Sequence, residues 1–255
     1  MFLPDFDCHV HIVSLGEDAF RPFQVNVEDI IGRAAEHLAA SSVDKEPDDI
    51  DVDWWNVFET EAVSKSSDDM KEIFSNILAG EISKPGSFSI KAIRTISALD
   101  KSVASSFNQL CSLALKSPHI SKVLTLEKDA SGNGLIEYGL SFEVLSQLQE
   151  YGLIHVDYNA YMDYAGLINF ADAIIYQNRP AVMVRLDGVE ALTEFKLNGV
   201  TLSKVGRELY DIARITPSDK YSNSLSAFLR SKGHDLVFYD NQVVSPIVST
   251  TPPTA

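Results

Sequence analysis

Cysteine is nearly absent: Cys8 and Cys111 are the only two in 255 residues. Two cysteines cannot build a disulfide framework, so a reducing compartment is the default expectation. No stretch of about 18 consecutive apolar residues occurs, so no bilayer span is expected. The opening MFLPDFDCHVHIVSLGED lacks a basic leader, and Asp5 and Asp7 interrupt its apolar part. A secretory signal is therefore not expected, and a cytoplasmic location is. Basic residues are outnumbered, 21 Lys and Arg against 36 Asp and Glu, for a net charge of −15. Such a balance favours solubility and counts against a protein that coats nucleic acid. The metal signatures H-E-x-x-H, H-x-x-E-H and C-x-x-C are missing, as is the nucleophile elbow G-x-S-x-G. No repeat of 20 to 50 residues is found.

What is present is an ordinary globular composition, 45% hydrophobic and 22% charged, in a chain long enough for one large domain or two small ones. The acidity is concentrated. Met1 to Ile82 holds 19 acids and 5 bases, whereas Ser83 to Ala255 holds 17 and 16. Six acids fall between Asp44 and Asp53, which reads as a solvated linker kept extended by self-repulsion. The competing reading is a docking strip for a basic partner. Two local islands are basic: Lys84 to Lys128 with seven bases and two acids, and Lys196 to Lys232 with seven and three.

Periodicity supplies the elements. Phe6 to Leu15 alternates loosely, like a short strand, and Val27 to Ala40 reads as a helix with Ile30, Ile31, Ala34 and Leu38 on one side. Asp53 is expected to cap a helix through Trp54, Trp55 and Phe58. Ser67 is expected to cap the next, whose Met70, Ile73, Phe74, Ile77 and Leu78 form a buried stripe. Lys84-Pro85-Gly86 reads as a turn, and Ser87 or Ser89 starts a third helix. Asp100 starts a fourth, with Val103, Phe107, Leu110, Cys111 and Ala114 inward. Further on, Val123 to Leu126, Leu135-Ile136, Leu153 to Val156, Ala181 to Leu186, Leu192 to Leu197 and Asp235 to Tyr239 read as strands. Phe142 to Tyr151, Lys204 to Ile212 and Ser222 to Lys232 read as helices. Asn198-Gly199 carries the strongest hairpin signal in the chain. Helices followed by a strand and a hairpin with a basic tip suggest a winged helix. The expected class is α+β: an acidic segment over 1–52, a helical bundle-like middle over 53–117, a winged-helix-like part over 118–240 and a tail over 241–255.

Two stretches carry more information than the periodicity. The first joins Asp53-Trp54 and Phe58 to Leu78-Ala79-Gly80-Glu81-Ile82 and Pro85-Gly86-Ser87-Phe88-Ser89. The second is Val200-Thr201-Leu202-Ser203-Lys204-Val205-Gly206-Arg207-Glu208-Leu209. Together they resemble the core of a bacterial family known as a domain of unknown function, with the resemblance covering Asp53 to Ile212. That family is similar in pattern to the abortive-infection alpha group, which implies a host-defence or mobile-element setting. It brings no catalytic residues to carry over.

The same residues can be read physically. Glu81 is placed to bond exposed amides at the start of the following helix, and Phe88 to staple that start. Gly206 lies one turn into a helix, where glycine costs about 1 kcal/mol against alanine. A glycine there points to another backbone packed against it. Arg207 and Glu208 are placed to pair with Glu81 or Lys84. Trp54, Glu81, Pro85, Gly86, Phe88, Gly206, Arg207 and Glu208 are thus expected to serve fold and interface, and no cofactor is expected.

Two other chemistries compete. Asp7, His9 and His11 could hold a metal, since two histidines one residue apart on a strand share a face. His37, His119, His155 and His234 occur singly, so further ligands are lacking for a metal hydrolase. Lys91 and Arg94 on a helix, with Lys196, Lys204 and Arg207 at the expected wing, could contact nucleic-acid phosphates. Cys111 reads as a core residue. The leading expectation is a non-catalytic regulatory or protein-interaction module with a protein partner and no membrane. A winged-helix DNA-binding regulator and a metal-dependent hydrolase are the alternatives, and a homo-oligomer stays open.

Overall fold

The computed structural model describes residues 17–40, 50–118, 121–126, 133–155 and 161–239. The chain divides into two compact units, Met1–Ile93 and Arg94–Ala255. The expected strand over Phe6 to Leu15, most of the acidic linker and the tail over 241–255 lie outside the described residues. No helix among them is long and apolar enough to cross a membrane.

The first unit is helical: α1 (Glu17–Ala40), α2 (Val52–Ala62), α3 (Asp68–Ser83) and the beginning of α4 (Ile90–Ala98). Asp51, two residues before the expected Asp53, caps α2, its side chain accepting from Trp54 N at 2.9 Å. A capping oxygen reaches the second or third amide of the helix, and Asp51 stands at that spacing while Asp53 sits within the first turn. Ser67 caps α3 as expected, through Met70 N at 3.4 Å. The stripe on α3 buries Phe74, Ile77 and Leu78, each contributing about 2 kcal/mol on removal from water. Ile30 and Ala34 of α1 are buried as α1 packs along α3. Phe58 joins the layers, stacked on Trp54 at 5.1 Å and tilted against Phe74 at 5.6 Å. At the rim, Arg33 reaches Asp29 at 2.9 Å and Asp68 at 3.0 Å, and Lys71 reaches Asp29 at 2.8 Å. Hydrogen bonds from Arg33 and Lys71 hold the Asp29 carboxyl down at about 2.

The second unit opens with the rest of α4 and α5 (Lys101–Leu113), followed by β1 (Leu115–Lys116), β2 (Ser121–Leu124), a 3-10 turn at Gly134–Tyr138 and α6 (Phe142–Glu150). Then come β3 (Tyr161–Asp163), α7 (Ala165–Asn169), β4 (Ile174–Tyr176), β5 (Arg179–Arg185) and β6 (Lys196–Thr201). Helices α8 (Lys204–Tyr210) and α9 (Asp219–Ser231) and strand β7 (His234–Phe238) follow. The strands make one antiparallel sheet in the order β3-β6-β2-β1-β4-β5-β7. The α+β class is therefore what the protein has.

The expected Asn198-Gly199 hairpin is corrected. Both residues lie inside β6, and β5 and β6 are not neighbours in the sheet. Gly199 pairs opposite Leu124, and a Cβ there would fall well inside 3.0 Å of the Val123 carbonyl oxygen. The glycine thus permits a close backbone approach and makes no turn. Lys196 accordingly begins a sheet strand and does not sit at a hairpin tip. The tight hairpin is instead β4–β5, turned by Gln177 and Asn178 with φ of 52° and 58°, the left-handed pair a type I′ turn requires. Leu135-Ile136, expected as a strand, lies in the 3-10 turn. Asp100 precedes α5 but makes no side-chain cap; its carboxylate accepts from the Tyr151 hydroxyl at 3.2 Å.

Candidate functional site

In the first unit the structure brings Trp54, Glu81, Pro85, Gly86 and Phe88 together around the loop that joins α3 to α4. Glu81, only 3% exposed, extends from the last turns of α3. One carboxylate oxygen accepts from Gly86 N at 2.6 Å and the other from Phe88 N at 2.9 Å. The indole of Trp54 donates to the Phe88 carbonyl oxygen at 2.6 Å. The Phe88 ring lies against Gly80, where a Cβ would come within 2.7 Å of it. Gly86 has φ of 83°, which allows the chain to reverse after Pro85. Ser89 starts α4, its hydroxyl accepting from Ala92 N at 3.2 Å. A buried carboxylate and an indole thus brace a short loop from below, and Lys84, Pro85 and Gly86 are exposed at its tip. Both Glu81 oxygens are used within this loop.

In the second unit Gly206, Arg207 and Glu208 lie on α8. Ser203 caps that helix, its hydroxyl accepting from Gly206 N at 3.0 Å and donating to Gly152 O at 2.5 Å. Ser203 N donates to Leu153 O at 3.0 Å, and His155 N to Thr201 O at 3.0 Å. A Cβ on Gly206 would fall well inside 3.0 Å of Leu153 O. The glycine therefore marks where α8 lies on the main chain that leaves α6. Glu208 is within 3.8 Å of Lys204, with its side chain only 10% exposed. A serine three residues before Gly206 is a cap signal present in the sequence itself.

Lys91 and Arg94 are exposed on α4 on either side of the boundary between units. Lys196 is ion-paired with Glu194 and lies over the Tyr161 ring at 4.8 Å. Lys204 follows the far end of β6, so about 17 Å of extended strand separates it from Lys196. Arg207 is half-buried. Asp7, His9 and His11 lie outside the described residues, among which no group of three or more His, Cys, Asp or Glu could hold a metal. Cys111 is fully buried on the inward side of α5, and burial raises its thiol well above the usual range.

A carboxylate missed from sequence is Asp163, which accepts from Ala165 N at 2.9 Å and Phe195 N at 2.8 Å. These two backbone bonds lower its pKa.

The pattern of a family described as a protein of unknown function, DUF2806, matches residues 20–226. The chain belongs to the DUF2806 family. No curated protein and no solved structure matches it at a significant level. The DUF2806 region takes in both braced sites and also most of α1 and α9, beyond the Asp53 to Ile212 over which the sequence resemblance was drawn.

Proposed function

We propose that this DUF2806 protein is a non-catalytic bacterial regulatory or protein-interaction module, working in the cytoplasm in a phage-defence setting akin to that of the abortive-infection alpha group. The observation that supports this reading is how the polar groups of the signature are used. Both Glu81 oxygens accept main-chain amides, and the Trp54 indole donates to a main-chain carbonyl. Groups committed to holding backbone are not free to move protons on a substrate. What such bracing does is present a fixed surface, the exposed Lys84-Pro85-Gly86 tip, at little further cost in conformational entropy on binding. The boundaries expected at 52, 117 and 240 stay a proposal, which limited proteolysis tests: cuts at those positions, and not near the 93/94 division, would support them.

A photocrosslinking residue at position 84, compared with one at exposed Asn56, tests this in the native host. A discrete protein adduct from position 84 alone, together with loss of phage protection in Lys84→Glu, is the expected result. Turnover of a nucleotide, nucleic acid or peptide by the purified protein, abolished by a point substitution that leaves it folded, would overturn the reading. A salt-sensitive gel shift lost in the Lys204→Glu/Arg207→Glu double variant would replace it with nucleic-acid binding.

A further inference from the structure

Beneath α7, the second unit has a small cavity against the sheet, lined by Leu115 of β1, Ser117, Met162 of β3, Tyr164, Leu167 of α7, Ile174 of β4 and Met183 of β5. It leaves about 10 Å³ to the centre of a water molecule, which is room for one. Tyr164 is 3% exposed, and its buried hydroxyl has no hydrogen-bond partner among the described residues. Buried hydroxyls are nearly always bonded, because leaving one unpaired forfeits its hydration without return. Tyr210 OH, Ser121 Oγ, Thr125 Oγ1 and His234 Nε2 are also unpartnered, but none of those residues lines this cavity.

We infer that this cavity is a binding site for a single water molecule held by the Tyr164 hydroxyl. Burial raises the pKa of that hydroxyl, so it stays protonated and offers both a donor and an acceptor. Ser117 is the other polar residue on a lining otherwise made of aliphatic and thioether groups, and two polar partners are the minimum that retains a buried water. The position gives the water a structural role. Tyr164 is the residue before α7 and Ser117 the residue after β1, so the water ties the start of the helix to the middle of the sheet.

Crystallography of the full chain, at a resolution that shows ordered solvent, tests the inference with wild type and Tyr164→Phe. The expected result is a solvent peak at hydrogen-bonding distance from Tyr164 Oη in wild type, absent in Tyr164→Phe. Under xenon pressure, the gas should enter the variant cavity and not the wild-type one. Should the variant fail to fold, wild type labelled at its methionine methyls decides alone. A water cross-peak to the Met162 and Met183 methyls is expected from a long-lived buried water. A dry cavity, xenon in the wild-type protein, no such cross-peak, or a protein group bonded to Tyr164 Oη would overturn the inference.

Discussion

Gly206→Ala is the substitution with the sharpest expected effect. On helix propensity alone alanine would stabilise by about 1 kcal/mol. The structure opposes that gain, because the new methyl would sit well inside 3.0 Å of Leu153 O, which belongs to the main chain and cannot rotate away. Restoring contact distance means lifting α8 from residues 152–154, where Ser203 Oγ bonds Gly152 O and Ser203 N bonds Leu153 O. Losing these two bonds costs about 1 kcal/mol each, and the displacement adds about 1–3 kcal/mol of overpacking. The net is a loss of about 2–4 kcal/mol, or roughly 5–15 °C in melting temperature for a unit of this size. Thermal unfolding followed by circular dichroism measures it. Gly166→Ala is the control, since a Cβ there meets nothing within 4 Å, and it should be neutral or slightly stabilising. A Gly206→Ala protein as stable as wild type would refute the reasoning.

Three further outcomes are expected. Glu81→Ala should cost about 2–4 kcal/mol in chemical denaturation, because two amides lose a charged acceptor in a largely buried place, and Glu81→Gln should cost less, since its amide oxygen still serves one of them. The lowered Asp29 carboxyl should contribute stability that is fully present above its unfolded value near 3.8 and disappears as pH falls toward about 2; Asp29→Asn should therefore be less stable than wild type at pH 5, with the gap closing by pH 2. In a Cys8→Ser background, Cys111 should not react with a thiol reagent at neutral pH until denaturant is added, as its burial and raised pKa require.

The parts of this fold that were legible in the sequence are those decided by local chemistry. Ser67 and the stripe ending at Leu78 identify α3 because a cap and a 3.6-residue period act within one element. The roles of Glu81 and Gly206 could be anticipated for the same reason: a carboxylate before a helix start and a glycine inside a helix each imply a partner nearby in the chain or in space. What failed depended on pairing across the chain. Asn198-Gly199 has the composition of a turn, yet the close approach of β2 to β6 explains its glycine better than any local conformation does. Gln177-Asn178 adopts the left-handed turn without a glycine, since pairing of β4 with β5 outweighs the residue preference. Strands β1, β3 and β4 have two or three residues each, too few for any alternation to show. The unpartnered Tyr164 hydroxyl was not legible either, because only packing defines a cavity.

Hydrogen exchange at the amides of Gly86 and Phe88 bears most directly on whether the signature builds a surface. If the Glu81 carboxylate is committed to them, both should exchange slowly in wild type, opening only with the first unit, and should speed up by orders of magnitude in Glu81→Ala. Rapid exchange in wild type, with Glu81 left free to meet a substrate, would contradict the account.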